Sequence, residues 1–184
     1  MEHEDHQGVL MRGIGRWLVY GRLRAWLGVT LEMPSLLRGV RFPPGAQCLD
    51  IATGLGWATV GLVGHEPTAR VVALEYDGTI LSRTRKYLKS HGAANAALCR
   101  ADAKHLPFSD ESFDLVLCVY GLHHFRGYLE ALREIVRVLF GSYMSQQSHE
   151  LQALPLRSKL FQLSAKCLHF RCAIQTKNAA QVRR

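Results

Sequence analysis

CLDIATGLG, Cys48 to Gly56, is the stretch on which the reading of the fold turns. It opens as a short apolar run, breaks at two closely spaced glycines, and passes into WATVGLV, Trp57 to Val63, which reads as the start of a helix. A strand that ends in a glycine turn and restarts as a helix is a βα unit. Gly54 and Gly56 lack a Cβ, so another group can approach the backbone there. The first helical turn adds free N–H groups. Asp50 stands at the strand end, where its carboxylate can meet an ammonium group through water. Glycine spacing alone also fits a plain βα turn with no ligand.

Downstream the alternation repeats. Arg70 to Leu74 reads as a second strand, closing on Glu75 and Tyr76. Gly78 to His91 carries Ile80, Leu81, Tyr87 and Leu88 at helical spacing. Ala96 to Cys99 reads as a third strand. FDLVLCVY, Phe113 to Tyr120, is a nearly continuous apolar run, as expected of a strand buried on both faces. Gly127 to Leu139 places Leu129, Leu132, Ile135, Val136 and Leu139 on one helical face. Strands alternating with helices predict an α/β fold with a parallel sheet. Glu75 follows the glycine turn by about 20 residues, where an acid can accept from both ribose hydroxyls of a nucleotide. A solvated loop acid is the plainer reading of the same residue. A dinucleotide fingerprint starting at Gly54 would need a third glycine where Thr59 stands.

Upstream, Gly8 to about Arg41 mixes Trp17, Tyr20 and Trp26 with six arginines. One or two helices are expected, ended near Pro34 and again before Pro43-Pro44. They read as a cap over the pocket, with a membrane-surface patch as the alternative. No apolar run reaches the roughly 20 residues of a spanning helix. The opening MEHEDH is acidic, unlike a secretory signal. Five scattered cysteines without a C-x-x-C pair argue against a disulfide framework or a thiolate zinc site, which points to a reducing cytoplasm. The formal charge is +8, but seven Lys or Arg against Glu150 alone follow Gly141, so about +6 of it lies in the tail. The body is therefore not a basic nucleic-acid binder.

RADAKHLPFSDESFD, Arg100 to Asp114, runs straight into the apolar strand. Here the chain resembles the class I S-adenosylmethionine (SAM)-dependent methyltransferases that include the ubiquinone and menaquinone biosynthesis C-methyltransferases. Asp102-Ala103, Leu106-Pro107-Phe108, Asp110, Ser112-Phe113-Asp114 and His123-His124 stand where that pattern wants them. The resemblance spans roughly residues 46–139, and the run from Ala52, A-x-G-x-G, is that family's looser glycine pattern. It implies a Rossmann-like sheet with SAM as cofactor. By the resemblance Asp102 accepts from the adenine amino group, with the Ala103 N–H near the ring. Glu75, beside Tyr76, binds ribose. Asp50 and the turn Ala52-Thr53-Gly54-Leu55-Gly56 hold the methionine moiety, and the neighbourhood of Tyr120 supplies backbone to it. No catalytic residue is named. His123 and His124 read as a cofactor wall, with a general base as an alternative and no further ligands for a metal.

The resemblance stops after REIVRVL, Arg133 to Leu139. Such proteins continue with a Lys-Pro-Gly-Gly-like turn, a fifth strand and an antiparallel hairpin; here Phe140-Gly141-Ser142-Tyr143 follows, then an irregular basic tail. The expected organisation is a helical cap (1–44), a SAM-binding core (45–140) and an atypical tail (141–184). The sheet is expected to be incomplete at its C-terminal strands. The tail is expected to add no strand, leaving the FDLVLCVY strand with an open edge to which a protein partner could pair. The expected function is methyl transfer to a small-molecule acceptor, the alternative being a SAM-binding form without catalysis.

Overall fold

The computed structural model describes residues 22–140 and 171–175. Five strands form one sheet: β1 (Gln47–Ile51), β2 (Arg70–Glu75), β3 (Ala97–Arg100), β4 (Leu115–Val119) and β5 (Arg171–Gln175), in the order β3-β2-β1-β4-β5. The first four are parallel, and β5 runs antiparallel to β4. Parallel neighbours need long crossovers, which helices α3 (Trp57–His65), α4 (Gly78–Ser90) and α5 (Tyr128–Phe140) provide. The chain leaves β1 toward β2 and returns from β3 to β4 on β1's other side, so the strand order reverses between β1 and β4.

Period two sorts the apolar residues onto two faces. On one face Leu49, Ile51, Val116 and Cys118 pack with Ala131, Ile135, Val138 and Leu139 of α5. On the other, Cys48, Leu115, Leu117 and Val119 pack with Ala58 and Leu62 of α3. All five residues of β4 are buried, which is why its sequence shows no alternation. Each fully buried Leu contributes about 1.5–3 kcal/mol.

Upstream, α1 (Arg22–Leu27), a π-helical stretch (Gly28–Glu32) and α2 (Met33–Leu36) follow one another without a break. The stop expected near Pro34 falls two residues beyond it, at Leu36, and the proline itself is helical. Pro34 sits in the first turn of α2, where a missing N–H is tolerated, and the Met33 N–H reaches back to the Gly28 carbonyl in the widened turn. The helical run ends at Leu36, ahead of Pro43. The expected helix before Arg22 lies outside the described residues. Met33, Leu36 and Leu37 join the α3 side of the core.

The tail departs from expectation in one respect. Arg171–Gln175 pairs with the whole of β4, from Leu115↔Gln175 to Val119↔Arg171. β4 thus has a neighbour on each side, and the predicted open edge for a partner strand is not there. The basic composition hid a five-residue strand, RCAIQ, that needs only backbone groups and a matching length to pair. Among the described residues the sheet holds fewer strands than the resemblance implies.

Candidate active site

Because β1 to β4 are parallel, their C-terminal ends share one edge, and the strand order reverses there between β1 and β4, the place at which open α/β sheets take ligands. The turn after β1 is built at that edge. Ala52 (φ 55°), Gly54 (φ 55°) and Gly56 (φ 91°) all take left-handed conformations. The two glycines have different reasons. A Cβ on Gly56 would lie 2.9 Å from Leu88 of α4, so packing excludes a side chain. A Cβ on Gly54 would meet nothing within 4 Å, which leaves open space over that backbone.

Asp50 lies beneath the turn, 1% exposed. Its Oδ2 accepts from the hydroxyls of Thr53 and Thr59, each at 2.7 Å. Burial pushes its carboxyl up to about 6, with a smaller push from the charge of Glu75; the threonine hydrogen bonds pull the other way. Thr59, the residue that breaks the dinucleotide pattern, is thus one of the two donors that satisfy a buried acid. Nothing in spacing alone marks that role.

Glu75 ends β2 at the same edge. Its Oε2 accepts from the Gly54 N–H at 3.0 Å, and its Oε1 from the N–H groups of Tyr76 at 2.9 Å and Asp77 at 3.3 Å. A carboxylate offers about four lone-pair sites, so Oε2 keeps room for a further donor. The Tyr76 ring is 70% exposed. Asp77 caps α4, accepting from Thr79 and Ile80 N–H groups, and the Ile80 bond first, then Thr79, holds its carboxyl below the usual range. Asp102 follows β3, whose last residue pairs with Glu75. Its Oδ1 accepts from the Lys104 N–H at 2.9 Å, and it is partly exposed. Ala103 is buried in the α5 side of the core. Tyr120 leaves β4 at φ 59°, and Gly121 packs so closely on Ala52 that a Cβ there would lie 2.6 Å from the alanine methyl. The structure therefore brings Asp50, Thr53, Gly54 and Glu75 into direct contact and sets Tyr120 and Asp102 on the flanking strand ends. His123 and His124 form a single 3-10 turn with Leu122; His124 is exposed.

Two constellations escaped the sequence reading. The first joins the helical cap to the turn: Arg24 Nη2 donates to Glu32 Oε2 at 3.0 Å, and the Tyr120 hydroxyl donates to the same oxygen at 3.1 Å. The Arg24 guanidinium lies 5.0 Å from the Trp57 ring centre and 4.9 Å from that of Tyr120. The second explains the LPFSDESFD segment. Arg137 donates to the Leu106 and Phe108 carbonyls and to Asp110 and Glu134, while Glu134 accepts from the Leu106 N–H. Its bonds with Arg137 keep the Glu134 carboxyl low. The segment's Glu111 and Phe113 N–H groups also take the Arg137 and Val138 carbonyls at the end of α5. The most telling motif in the sequence thus includes a structural clamp.

The buried Cys48 thiol is pushed up to about 12, chiefly by burial, so it is not a ready nucleophile. No helix among the described residues is long and apolar enough to cross a membrane.

This arrangement of a glycine turn, a strand-end acid and a third-strand Asp-Ala is that of a methyltransferase domain, and the model of that family matches residues 48–140. The chain belongs to the family, whose members use SAM as methyl donor. It is 39% identical over 123 residues to the ubiquinone/menaquinone biosynthesis C-methyltransferase UbiE of Ectopseudomonas mendocina, covering 65% of this chain and 45% of that protein. The chain thus spans a little under half the length of that curated relative. Among solved structures it is similar to the YcgJ protein of Bacillus subtilis, with a TM-score of 0.53 and 25% identity over 58% of this chain and 45% of that one. The fold is also shared with a SAM-dependent methyltransferase from Aquifex aeolicus, with a TM-score of 0.54 and 18% identity over 61% of this chain and 60% of that one.

Proposed function

We propose that this chain binds SAM across the C-terminal edge of its parallel sheet and directs methyl transfer to a small-molecule acceptor in the cytoplasm. The observation that carries the reading is the Glu75 carboxylate, fastened to the Gly54 N–H beside a glycine whose Cβ position meets no neighbouring atom within 4 Å. The residues fit the cofactor: an acid with a free lone pair for ribose, an open left-handed turn for the methionine end, and a partly exposed Asp102 for the adenine amino group. Asp50, being buried, acts by holding Thr53 and Thr59 and so the shape of the turn. When bound, the cofactor's sulfonium supplies the electrophilic methyl group. The chain's part is orientation and exclusion of water. The helical cap of residues 22–36 lies on α3 and bounds the acceptor side through Arg24 and Glu32. His123 and His124 serve as wall rather than as base. The small-molecule class follows from the weakly charged body and from the UbiE likeness.

Calorimetric titration with SAM, S-adenosylhomocysteine and NAD tests the reading. SAM and S-adenosylhomocysteine should bind at one site per chain and NAD should not. Binding of NAD alone would overturn the assignment; SAM binding without transfer to any acceptor would favour the non-catalytic alternative.

A further inference from the structure

The cap cluster holds a feature that the cofactor contacts above do not use. Arg24 Nη1 is buried and has no hydrogen-bond partner, and it is the one such side-chain atom among the described residues. Buried side-chain donors in folded proteins nearly always have partners. Nη2 is fixed to Glu32, and the two rings of Trp57 and Tyr120 lie about equally far from the centre of the guanidinium. Glu32 is itself fixed by the Tyr120 hydroxyl. Aromatic faces offset part of what the guanidinium loses by leaving water, and with Nη2 on Glu32, Nη1 keeps its N–H donors for a further oxygen such as that of a carboxylate.

The place matters as much as the chemistry. Trp57 is the first residue of α3, next to Gly56, and Tyr120 is the residue after β4, next to the Gly121 that packs on Ala52. The cluster therefore borders the turn at the strand reversal, where ligands of open α/β sheets bind. Arg24 and Glu32 offer one positive and one negative group side by side. An α-amino-acid head group, with its carboxylate and ammonium, offers the complementary two.

We propose that Arg24 anchors the carboxylate of an α-amino-acid group at this edge, with Glu32 on its ammonium side. The location rests on the SAM-site reading. Two ligands could bring that group: the methionine end of the cofactor, or an acceptor that is itself an amino acid.

The test uses the full chain and its Arg24→Ala, Arg24→Lys and Glu32→Gln variants, with thermal melts run alongside. Calorimetry measures S-adenosylhomocysteine and 5′-methylthioadenosine, the same nucleoside thioether without the amino-acid group. L-phenylalanine and its amide are titrated onto the protein with and without S-adenosylhomocysteine. If the cofactor is the source, Arg24→Ala weakens S-adenosylhomocysteine by roughly tenfold or more and leaves methylthioadenosine within about threefold. If the acceptor is the source, the loss falls on L-phenylalanine and spares both nucleosides. Arg24→Lys keeps the charge but loses the fork, and should recover only part of the affinity. It also stands in if the alanine variant does not fold. Glu32→Gln should weaken the same ligand by a smaller factor. Equal loss for both nucleosides, or no loss in either arm, overturns the proposal. If the wild type binds neither nucleoside, the SAM-site reading falls, and the L-phenylalanine arm on ligand-free protein alone decides whether Arg24 holds a carboxylate.

Discussion

Asp50 and Glu75 are both strand-end acids, yet the sheet treats them differently. Asp50 is shut in with two hydroxyl donors, and burial raises its carboxyl to about 6. The unfolded chain releases that proton near pH 4, whereas the folded chain keeps it to about pH 6. Between those values the native state binds the extra proton, so rising pH lowers stability by at most about 3 kcal/mol, and the loss is complete above pH 6. Asp77 and Glu134 carry lowered carboxyls and contribute the opposite slope, with stability lost as pH falls. The difference between wild type and Asp50→Asn isolates Asp50. In urea unfolding from pH 4 to pH 7 the wild type should fall relative to the variant; parallel curves would refute the raised carboxyl. Glu75 is the acid to which the proposed reading gives the ribose. Glu75→Ala should weaken SAM binding roughly 10- to 100-fold, the range of a charge-assisted hydrogen bond of about 1.5–3 kcal/mol. A folded variant with an unchanged isotherm would remove the ribose assignment.

At the scale of elements, the two glycines of the turn should separate in experiment. Gly56→Ala forces a Cβ against Leu88 at a φ of 91° and should cost about 1–3 kcal/mol of stability. Gly54→Ala meets no neighbour, so only the left-handed strain of about 1 kcal/mol remains. Its effect should fall on SAM affinity, because the new methyl group occupies the open face. Comparing melting midpoints with binding constants for the pair checks this; the reverse ranking would mean that the open face is not where the cofactor lies. The clamp on the LPFSDESFD segment makes a second prediction. Arg137→Ala strands two carbonyls and Glu134 and should cost roughly 2–4 kcal/mol, whereas Asp110→Ala, with its carboxylate 43% exposed, should cost under about 1 kcal/mol. Equal melting midpoints for the two variants would show that the clamp does not hold the segment.

For the whole molecule the decisive element is β5. Ending the chain after Phe140 removes the antiparallel partner of β4, a strand buried along its full length. Unpaired backbone groups at that edge cost about 1–3 kcal/mol each, and an open apolar edge invites association. The truncated chain should melt lower by roughly 5–15 °C and aggregate, as read by light scattering. An unchanged midpoint and a monomeric species would mean that the pairing of Arg171–Gln175 contributes nothing to stability.

The parallel half of the molecule was legible in its residues before any contact was known. Gln47 to Ile51, Arg70 to Glu75 and FDLVLCVY were legible as strands because burial and period two leave a mark in composition, and the helices between them because period 3.6 does. The sequence also marked Asp50, Gly54 and Glu75, the residues of the proposed cofactor edge, since a turn and a strand end are local features. Three features arise only once distant segments meet in the folded chain. The helical run passes through Pro34 because a widened turn upstream adjusts the hydrogen bonds. RCAIQ became a strand because β4 offered it a row of backbone groups, which no pattern of side chains records. Arg24 met Glu32, Trp57 and Tyr120 because the cap folds back over α3 and the end of β4, bringing together residues as much as 96 positions apart in the chain. Local periodicity reports which face of an element is buried; it carries no information on which distant side chain that face will meet.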